Sequence, residues 1–431
     1  MNLFLNKYIQ RVRTSDFARN TSTLVSGTVL AQLIPILIQP VIRRFYSTEV
    51  FGAYAVYNSL VGILYVITSL RYEQAIILPK KDEEAMNVFS LAQTINLLVS
   101  FSIGILIAIF YKPLLAFLNI SENHVWFLFA VPVTTFLFNL QQSINLWLIR
   151  KKAFLSVSKN KVARRSLEGI AQITFRYLKL PYGLLLGDII GHITNSLYGF
   201  RQVFRNGFHF RNVSKIKIRQ LSKVYSEYPK YNTLSTFLNA CSLLLPTIII
   251  NKFYGSENAA YFDLARLLLL TPIALVASSI SNVMLQRISE KHRHKQCFKK
   301  ELLTILGLGA LIAVAEMIII LPFGEQLFGI AFGTEWTFSG TIAKQLMWPF
   351  LLYFISFSFT SLFLALQKVK ALSVYQVINF LLILSLWWFT HLSFEKFISL
   401  FVYFNIISAL LFAFLLSTVV IRYKRGLHSN V

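Results

Sequence analysis

One stretch near the start of the chain decides the fold, and over residues 20–81 it reads NTSTLVSGTVLAQLIPILIQPVIRRFYSTEVFGAYAVYNSLVGILYVITSLRYEQAIILPKK. It contains two apolar segments, at residues 21–42 and 51–70. Each segment has about 20 residues, the length with which an α-helix crosses a hydrocarbon core of about 30 Å. The stretch therefore predicts two membrane spans.

The composition extends this prediction to the whole chain. Of the 431 residues, 55% are hydrophobic and only 14% are charged, and the mean hydropathy is +0.59. A soluble domain does not need so much apolar surface, whereas a polytopic membrane protein does. We predict an all-α membrane protein with about twelve transmembrane helices, the other ten at residues 88–110, 125–149, 166–180, 183–204, 233–253, 259–286, 302–321, 342–366, 371–392 and 397–421.

The distribution of positive charge predicts the topology. The chain has 42 lysines and arginines against 18 acidic residues, a net charge of +24. Most of the basic residues lie in alternate connections, and the positive-inside rule places those connections and both termini in the cytoplasm. The basic connections on either side of residues 166–180 and 183–204 share this face only if both segments cross. The charge therefore does not indicate a nucleic-acid partner.

The same pattern divides the chain into five parts. Residues 1–19 carry four basic residues among apolar ones, which is typical of an interfacial helix on the cytoplasmic face. We expect an N-terminal six-helix bundle at 20–204, a basic cytoplasmic linker at 205–231, a C-terminal six-helix bundle at 232–421 and a basic tail at 422–431.

The opening of the chain resembles the polysaccharide biosynthesis proteins of the O-antigen flippase (Wzx) type, within the superfamily of multidrug and oligosaccharidyl-lipid exporters. The resemblance implies about twelve helices and the translocation of an undecaprenyl-diphosphate-linked sugar unit. It is carried by the order and spacing of Gln32, Pro35, Gln39, Pro40, Phe45-Tyr46, Phe51-Gly52-Ala53-Tyr54, Arg71-Tyr72-Glu73 and Leu78-Pro79.

A short motif recurs between the two halves. Residues 45–49 read FYSTE and are followed by Ala53-Tyr54, while residues 253–257 read FYGSE and are followed by Ala260-Tyr261. Each copy follows the first predicted span of a set of six. Parallel repeats of this kind build transporters whose two bundles rock about a central cavity. Aromatic turns are also common at membrane interfaces, which is the alternative explanation.

Charged residues within the predicted spans are candidates for function, because a buried charge is costly unless water or a partner compensates. Arg71 and Glu73 are two residues apart, so on a helix they would point to different faces and would not pair. In the fifth span a polar stripe is formed by Arg165, Glu168, Gln172 and Arg176. Arg176 suits a phosphate or diphosphate ligand, or it could pair with Glu168 in a structural network.

Four carboxylates are candidates for ion coupling: Glu73, Asp188, Asp263 and Glu316. Asp188 and His192 are one helical turn apart and could relay a proton or satisfy each other. Asp263 is three residues from Arg266, so we expect these two to pair. Glu316 has no local partner and is either protonated or a coupling-ion site.

Amide side chains form a second set of candidates. Gln32 and Gln39 lie on the first span, and Asn139, Gln142 and Asn145 lie on the fourth. Amides suit sugar hydroxyls but equally join helices to one another. Together with Arg71, Arg176 and Arg266, they are the predicted lining of a diphosphate and glycan cavity.

No pattern of an enzyme or of a metal site is found. The two cysteines, Cys241 and Cys297, predict no disulfide. The sequence contains no Cys/His cluster with metal spacing, no Gly-x-Ser-x-Gly motif and no phosphate-binding loop. We therefore expect no metal, no cofactor and no catalytic residues.

The leading hypothesis is a flippase of the bacterial inner membrane for O-antigen or related polysaccharide, with the lipid-linked glycan, membrane lipids and other polysaccharide-assembly proteins as partners. A multidrug or cation exporter should carry carboxylates in its early spans, and residues 21–42 have none. A membrane glycosyltransferase, such as a polymerase or ligase, needs an extended outer loop, whereas the largest ones predicted, 111–123 and 322–340, are short. A non-transporting scaffold is a further alternative.

Overall fold

The structure is a computed structural model that describes residues 16–180, 182–293, 298–366 and 368–428. These residues form thirteen α-helices joined by short turns, with no β-strand among them. In chain order they are α1 (Asp16–Phe45), α2 (Thr48–Thr68), α3 (Asp82–Leu118), α4 (Val125–Arg150), α5 (Phe154–Tyr177), α6 (Gly183–Arg205), α7 (Lys215–Val224), α8 (Thr233–Tyr254), α9 (Ser256–Arg293), α10 (Lys299–Phe332), α11 (Thr337–Ala365), α12 (Val369–Leu384) and α13 (Phe394–His428).

Each of the twelve predicted spans lies mainly on a helix of its own, which confirms the all-α class. The thirteenth helix, α7, lies in the predicted basic linker. By length and composition, seven helices in the described part of the chain could cross a membrane, and the number of twelve crossings stays a prediction. The seven segments are Thr48–Thr68, Asp82–Leu118, Glu122–Arg150, Tyr228–Tyr254, Ile305–Phe332, Lys370–Phe389 and Phe394–Tyr423.

Several helices extend beyond the predicted spans. Helices α3 and α10 continue through most of the predicted outer loops 111–123 and 322–340. Helix α5 begins at Phe154, so most of the basic stretch 150–165 is helical rather than a loop. The reason is that this stretch is amphipathic: Val157 is fully buried while Lys159 is exposed, and a helix accommodates both. The predicted arm 1–19 lies outside the described residues except for the first turn of α1.

Prolines lie inside several of these helices, and the one in α3 accompanies a bend. Pro113 lies in α3, and Phe110, three residues before it, leaves helical geometry with φ −108° and ψ 19°. A proline ring clashes with the carbonyl group one turn earlier and removes a backbone hydrogen bond. The bend in α3 therefore follows from the sequence.

The described chain forms two compact units. Unit 1 comprises the described residues up to Tyr46 and Val56–Ala240, and unit 2 comprises Ser47–Ala55 and Cys241 onward. Helices α2 and α8 each contribute residues to both units. The predicted boundaries at 204 and 232 stay a prediction.

Unit 1 has a core of aromatic and aliphatic side chains between α3, α4 and the turn after α6. Trp147 and Phe208 are fully buried, and their rings meet edge to face with centroids 5.2 Å apart. Phe89 of α3 packs on Phe208 at 5.1 Å. Arg150 of α4 ties the turn after α2 to this unit, since its guanidinium group donates to the carbonyl oxygens of Ile77 and Pro79.

The basic linker is bound to unit 1. Asn87 of α3 donates to the carbonyl oxygen of Asn212 over 3.0 Å and accepts from the backbone amide of Ser214 over 2.8 Å. The hydroxyl group of Tyr72 donates to the carbonyl oxygen of Ser222 over 2.9 Å. The linker is therefore a structured part of this unit rather than a free tether.

Unit 2 brings the two copies of the repeated motif together. Each copy forms a corner between two helices, α1 and α2 in the first and α8 and α9 in the second. At Gly52 a Cβ atom would lie 2.0 Å from the carbonyl oxygen of Ser256, so a glycine is needed for the backbones to approach. Trp336 is buried beside both copies, packing edge to face on Phe51 and Tyr261.

Candidate functional site

Four helices of unit 1 bring buried polar side chains to one place, which we call the Asp188 network. Helix α6 contributes Asp188 and His192, and both are almost fully buried. The other members are Tyr57 of α2, Thr134 and Gln141 of α4, and Arg164, Arg165 and Glu168 of α5.

Asp188 is held by groups from three helices. The hydroxyl group of Tyr57 donates to Asp188 Oδ2 over 2.7 Å and lies 2.6 Å from Thr134 Oγ1. The other carboxylate oxygen, Oδ1, lies 3.7 Å from the Arg164 guanidinium group and 3.5 Å from His192 Nε2. Buried carboxylates are stable only with such partners.

His192 is the neutral member of this network. The Arg164 guanidinium group lies 2.7 Å from His192 Nε2, and a guanidinium group can only donate hydrogen bonds. The ring nitrogen must therefore accept, which requires an uncharged imidazole. The side-chain amide group of Gln141 lies 2.7 Å from Nδ1, and its nitrogen donates to the His192 carbonyl oxygen over 3.0 Å.

Glu168 adds a second carboxylate. Arg165 donates to Glu168 Oε2 over 2.9 Å, and Arg164 lies 3.8 Å from the same oxygen. Two carboxylates thus balance two arginines. Gly191 permits this close packing of α5 and α6, because a Cβ atom there would lie only 2.9 Å from Glu168 Cβ.

A second cluster, the Glu73 cluster, lies after α2 and consists of Ser69, Arg71, Glu73, Asn139 and Asn232. Glu73 is 1% exposed. It accepts a hydrogen bond from the Ser69 hydroxyl group, which in turn accepts from Asn139 Nδ2 over 2.8 Å. Arg71 lies 3.3 Å from Glu73 and donates to Asn232 Oδ1 over 3.2 Å.

The prediction that Arg71 and Glu73 would not pair is wrong. It assumed α-helical spacing, whereas α2 ends at Thr68 and the backbone then turns through left-handed geometry, with φ 50° at Leu70 and φ 62° at Arg71. A 3₁₀ turn, Tyr72–Ile77, follows. This turn brings side chains two residues apart into contact.

Unit 2 holds the remaining charged candidates. Arg266 donates to Asp263 over 3.0 Å and to the Leu243 carbonyl oxygen over 2.8 Å, so the expected pair is confirmed. Both carboxylate oxygens of Glu316 are shielded from solvent and have no hydrogen-bond partner within the described ranges.

The other predicted residues are dispersed. Arg176 is exposed in the last turn of α5, and its guanidinium group lies 5.9 Å from the Tyr46 ring centroid. It does not join Glu168, whose partners are Arg164 and Arg165, so the considered pairing of Glu168 with Arg176 is wrong. Gln172 donates to the Leu184 carbonyl oxygen over 3.1 Å.

The predicted amides also differ in their surroundings. Gln39 accepts a hydrogen bond from Arg43 Nε over 2.9 Å, and Asn139 belongs to the Glu73 cluster. The amide oxygens of Gln32 and Asn145 are buried and have no hydrogen-bond partner among the residues that the structure describes. Gln142 is half-buried. Neighbouring Gln141, which sequence analysis passed over, is the amide that reaches His192.

Sequence analysis missed three further members of the network. Tyr57 and Thr134 lie in apolar spans and carry no charge that would single them out. Arg164 was counted among the basic residues of a cytoplasmic loop. The signal that could have found Arg164 is its four-residue spacing to Glu168, which places both on one face of a helix.

In the part of the chain that is described, no three His, Cys, Asp or Glu side chains lie close enough to hold a metal ion. Cys241 is buried in unit 2, and Cys297 lies outside the described residues. The clusters contain buried carboxylates, and each of these lies beside an arginine of the same unit.

The arrangement of long helices around buried polar clusters is the fold of a polytopic membrane transporter. The lipid II flippase MurJ in its inward closed conformation matches with a TM-score of 0.71 at 14% identity, over 92% of this chain and 87% of that chain. An outward-facing multidrug resistance transporter of the MATE family matches with a TM-score of 0.67 at 14% identity, over 98% of both chains. A transporter of the MOP superfamily from Pyrococcus furiosus matches with a TM-score of 0.61 at 15% identity, over 94% and 95%.

The family is given by the sequence itself. A model of the polysaccharide biosynthesis protein family matches residues 41–340, and the chain belongs to this family. No curated protein matches the chain.

Proposed function

We propose that this protein translocates an undecaprenyl-diphosphate-linked oligosaccharide unit from the inner to the outer leaflet of the bacterial cytoplasmic membrane, by alternating access, for O-antigen or a related surface polysaccharide. The observation that carries the proposal is the match of residues 41–340 to the polysaccharide biosynthesis protein family. The fold supports it, because a solved protein of the same fold is a lipid II flippase. The protein would act as a transporter and not as a catalyst.

The connections between helices also favour transport over glycosyl transfer. Helix α3 is followed after residues 119–124 by α4, and α10 is followed after residues 333–336 by α11. Glycosyl transfer at the membrane surface needs catalytic groups outside the bilayer, and these two connections offer little room for them. Expected partners are the lipid-linked glycan, membrane lipids and other polysaccharide-assembly proteins.

Glu316 is the best of the four proposed coupling carboxylates. Glu73, Asp188 and Asp263 each lie beside an arginine, whereas Glu316 has no hydrogen-bond partner among the described residues. A shielded carboxylate without a partner costs several kcal/mol, roughly, unless it takes up a cation or a proton. Glu316 should therefore hold a proton or a cation in this conformation and release it only where transport exposes the carboxylate to water.

The test uses proteoliposomes that contain the purified protein and an undecaprenyl-diphosphate oligosaccharide, with an impermeant glycan probe outside. We expect protein-dependent transfer of the glycan between leaflets, faster with an ion gradient. Glu316→Gln should abolish the acceleration by the gradient, and Glu395→Gln, an exposed position at the start of α13, is the matched control. Lengthening of the glycan or its movement to an acceptor would refute transport.

A cation exporter is the second candidate, favoured by the fold shared with multidrug resistance transporters. Against it, Glu73 and Asp188 are occupied by arginines and do not offer free negative charge to a cationic drug. Measuring ethidium efflux and glycan transfer in the same vesicles distinguishes a cation exporter from a glycan flippase. Ethidium efflux without glycan transfer would replace our proposal with this one.

A further inference from the structure

An open groove of about 640 Å³ runs along the surface of unit 1. Its floor is one face of α5, on which Leu155, Lys159, Ala163 and Leu167 follow at helical spacing. Helix α1 forms one wall and α6 the other. The residues that line the groove include no member of the Asp188 network.

The chemistry of the groove is that of an amphiphile site. Leu30, Leu155 and Leu167 are exposed along it, and no carboxylate lines it. Lys159 is exposed near one end and makes no ion pair with any residue that the structure describes. A mainly apolar groove with a single cation in its lining, Lys159, one helical turn from Leu155, complements a lipid that has one anionic head and a chain.

The size of the groove agrees with a lipid chain. From Leu155 to Leu167 the floor is about 18 Å long, at 1.5 Å per helical residue. A volume of about 640 Å³ holds roughly twenty methylene-sized groups, if each takes about the 30 Å³ of a liquid water molecule. The groove therefore holds a segment of a long polyprenyl chain rather than the whole chain.

The orientation also agrees. Lys159 lies five residues after the first residue of α5, about 8 Å along the axis, on the end predicted to be cytoplasmic. Leu167 lies two turns further into the membrane. A lipid in the groove would place its phosphate at the inner interface, where a substrate made in the cytoplasm begins its passage.

We propose that this groove binds the polyprenyl chain of the lipid-linked substrate, with the nearest phosphate beside Lys159. The inference rests on the proposed function and adds to it a second contact, away from the polar clusters. The chain is held by unit 1 while the glycan crosses. Affinity for the substrate then comes partly from the lipid carrier, so different glycans on the same carrier bind alike.

The test is photo-crosslinking of the purified protein with a polyprenyl diphosphate that carries a benzophenone on its chain, followed by peptide mapping. We expect labelled peptides from α1, α5 and α6 that excess undecaprenyl phosphate suppresses and excess phosphatidylglycerol does not. Ala163→Trp fills the groove and should lower labelling about tenfold. Ile170→Trp is the control, since Ile170 is an exposed residue of α5 that does not line the groove.

A charge variant provides a second test, in case Ala163→Trp lowers labelling only because the protein misfolds. Lys159→Glu should also lower labelling about tenfold through loss of a charge-assisted contact, whereas Lys152→Glu, exposed before α5, should not. The proposal that the groove binds the polyprenyl chain would be refuted if labelling were unchanged in both groove variants. It would also be refuted if phosphatidylglycerol competed as well as undecaprenyl phosphate. If labelling holds but no glycan crosses in the vesicle assay, the proposed function fails and the groove stands.

Discussion

The hydroxyl group of Tyr57 joins Asp188 to Thr134, since it donates to Asp188 Oδ2 over 2.7 Å and lies 2.6 Å from Thr134 Oγ1. Tyr57→Phe removes it without changing the ring. We expect the free energy of unfolding to fall by about 1–3 kcal/mol, because a buried acceptor loses its donor. Thermal melting in detergent measures this, with Tyr177→Phe, at an exposed tyrosine, as a control that should melt like the wild type.

Arg71 and Glu73 test whether the Glu73 cluster is a coupled unit. Glu73→Gln leaves the half-buried Arg71 without its charge partner, and Arg71→Met leaves the buried carboxylate without its cation. We expect each single variant to lower the free energy of unfolding. The double variant should lower it by less than the sum of the two single losses, with a coupling energy of about 1–3 kcal/mol. Additive losses in a double-mutant cycle of melting curves would show that the pair is not coupled.

At these same positions, sequence reasoning considered His192 as a partner of Asp188 but missed Tyr57 and Arg164, and it separated Arg71 from Glu73. Asp188, His192, Arg71 and Glu73 were chosen because charge in an apolar span is costly, and all four are in buried clusters. The pairing of Arg71 with Glu73 could not be predicted, because it depends on two left-handed residues, neither of them glycine or asparagine. The residue types in that turn do not predict a left-handed backbone conformation.

Helices α2 and α9 approach at Gly52, which makes this glycine a test of the repeated corner. Gly52→Ala places a methyl group 2.0 Å from the Ser256 carbonyl oxygen, and we expect overpacking to cost about 1–3 kcal/mol. Gly307→Ala in α10 is the matched control, because a Cβ atom there meets nothing within 4 Å. There the better helix propensity of alanine should raise stability by up to about 1 kcal/mol.

Opposite effects in the two glycine variants, measured as melting temperature, would support the packing. Equal effects would contradict the close packing at Gly52.

The repeat of FYSTE and FYGSE located both corners correctly from sequence, since each lies between two helices. Their contact was not predictable, because motif order carries no information about distance.

The complete chain has a predicted sidedness that a labelling experiment can check. With Cys241 and Cys297 replaced by alanine, Lys215→Cys in α7 should react with an impermeant maleimide only from the cytoplasmic side. Ser121→Cys, in the exposed turn before α4, should react only from the outside. Labelling of position 215 from outside would invert the topology and with it the proposed direction of lipid entry.

Hydropathy and charge located a helix for each of the twelve predicted spans but missed α7 in the basic linker, and they set several helix ends wrongly. The predicted span ended at 110, before Lys112 and Pro113, whereas α3 continues to Leu118. The basic residues of the stretch 150–165 were assigned to a loop, whereas α5 begins at Phe154 and holds Lys159 exposed and Arg164 largely buried. Side-chain surroundings, rather than composition, decide both cases.

The attachment of the linker has a practical consequence for protein engineering. Asn87, Tyr72 and Arg71 hold residues 212–232 against unit 1, and the unit boundary falls inside α8, after Ala240. A chimera that took its second half from a relative and was spliced within the basic stretch would cut through these bonds. Recombination breakpoints that preserve a functional hybrid should therefore lie beyond residue 240.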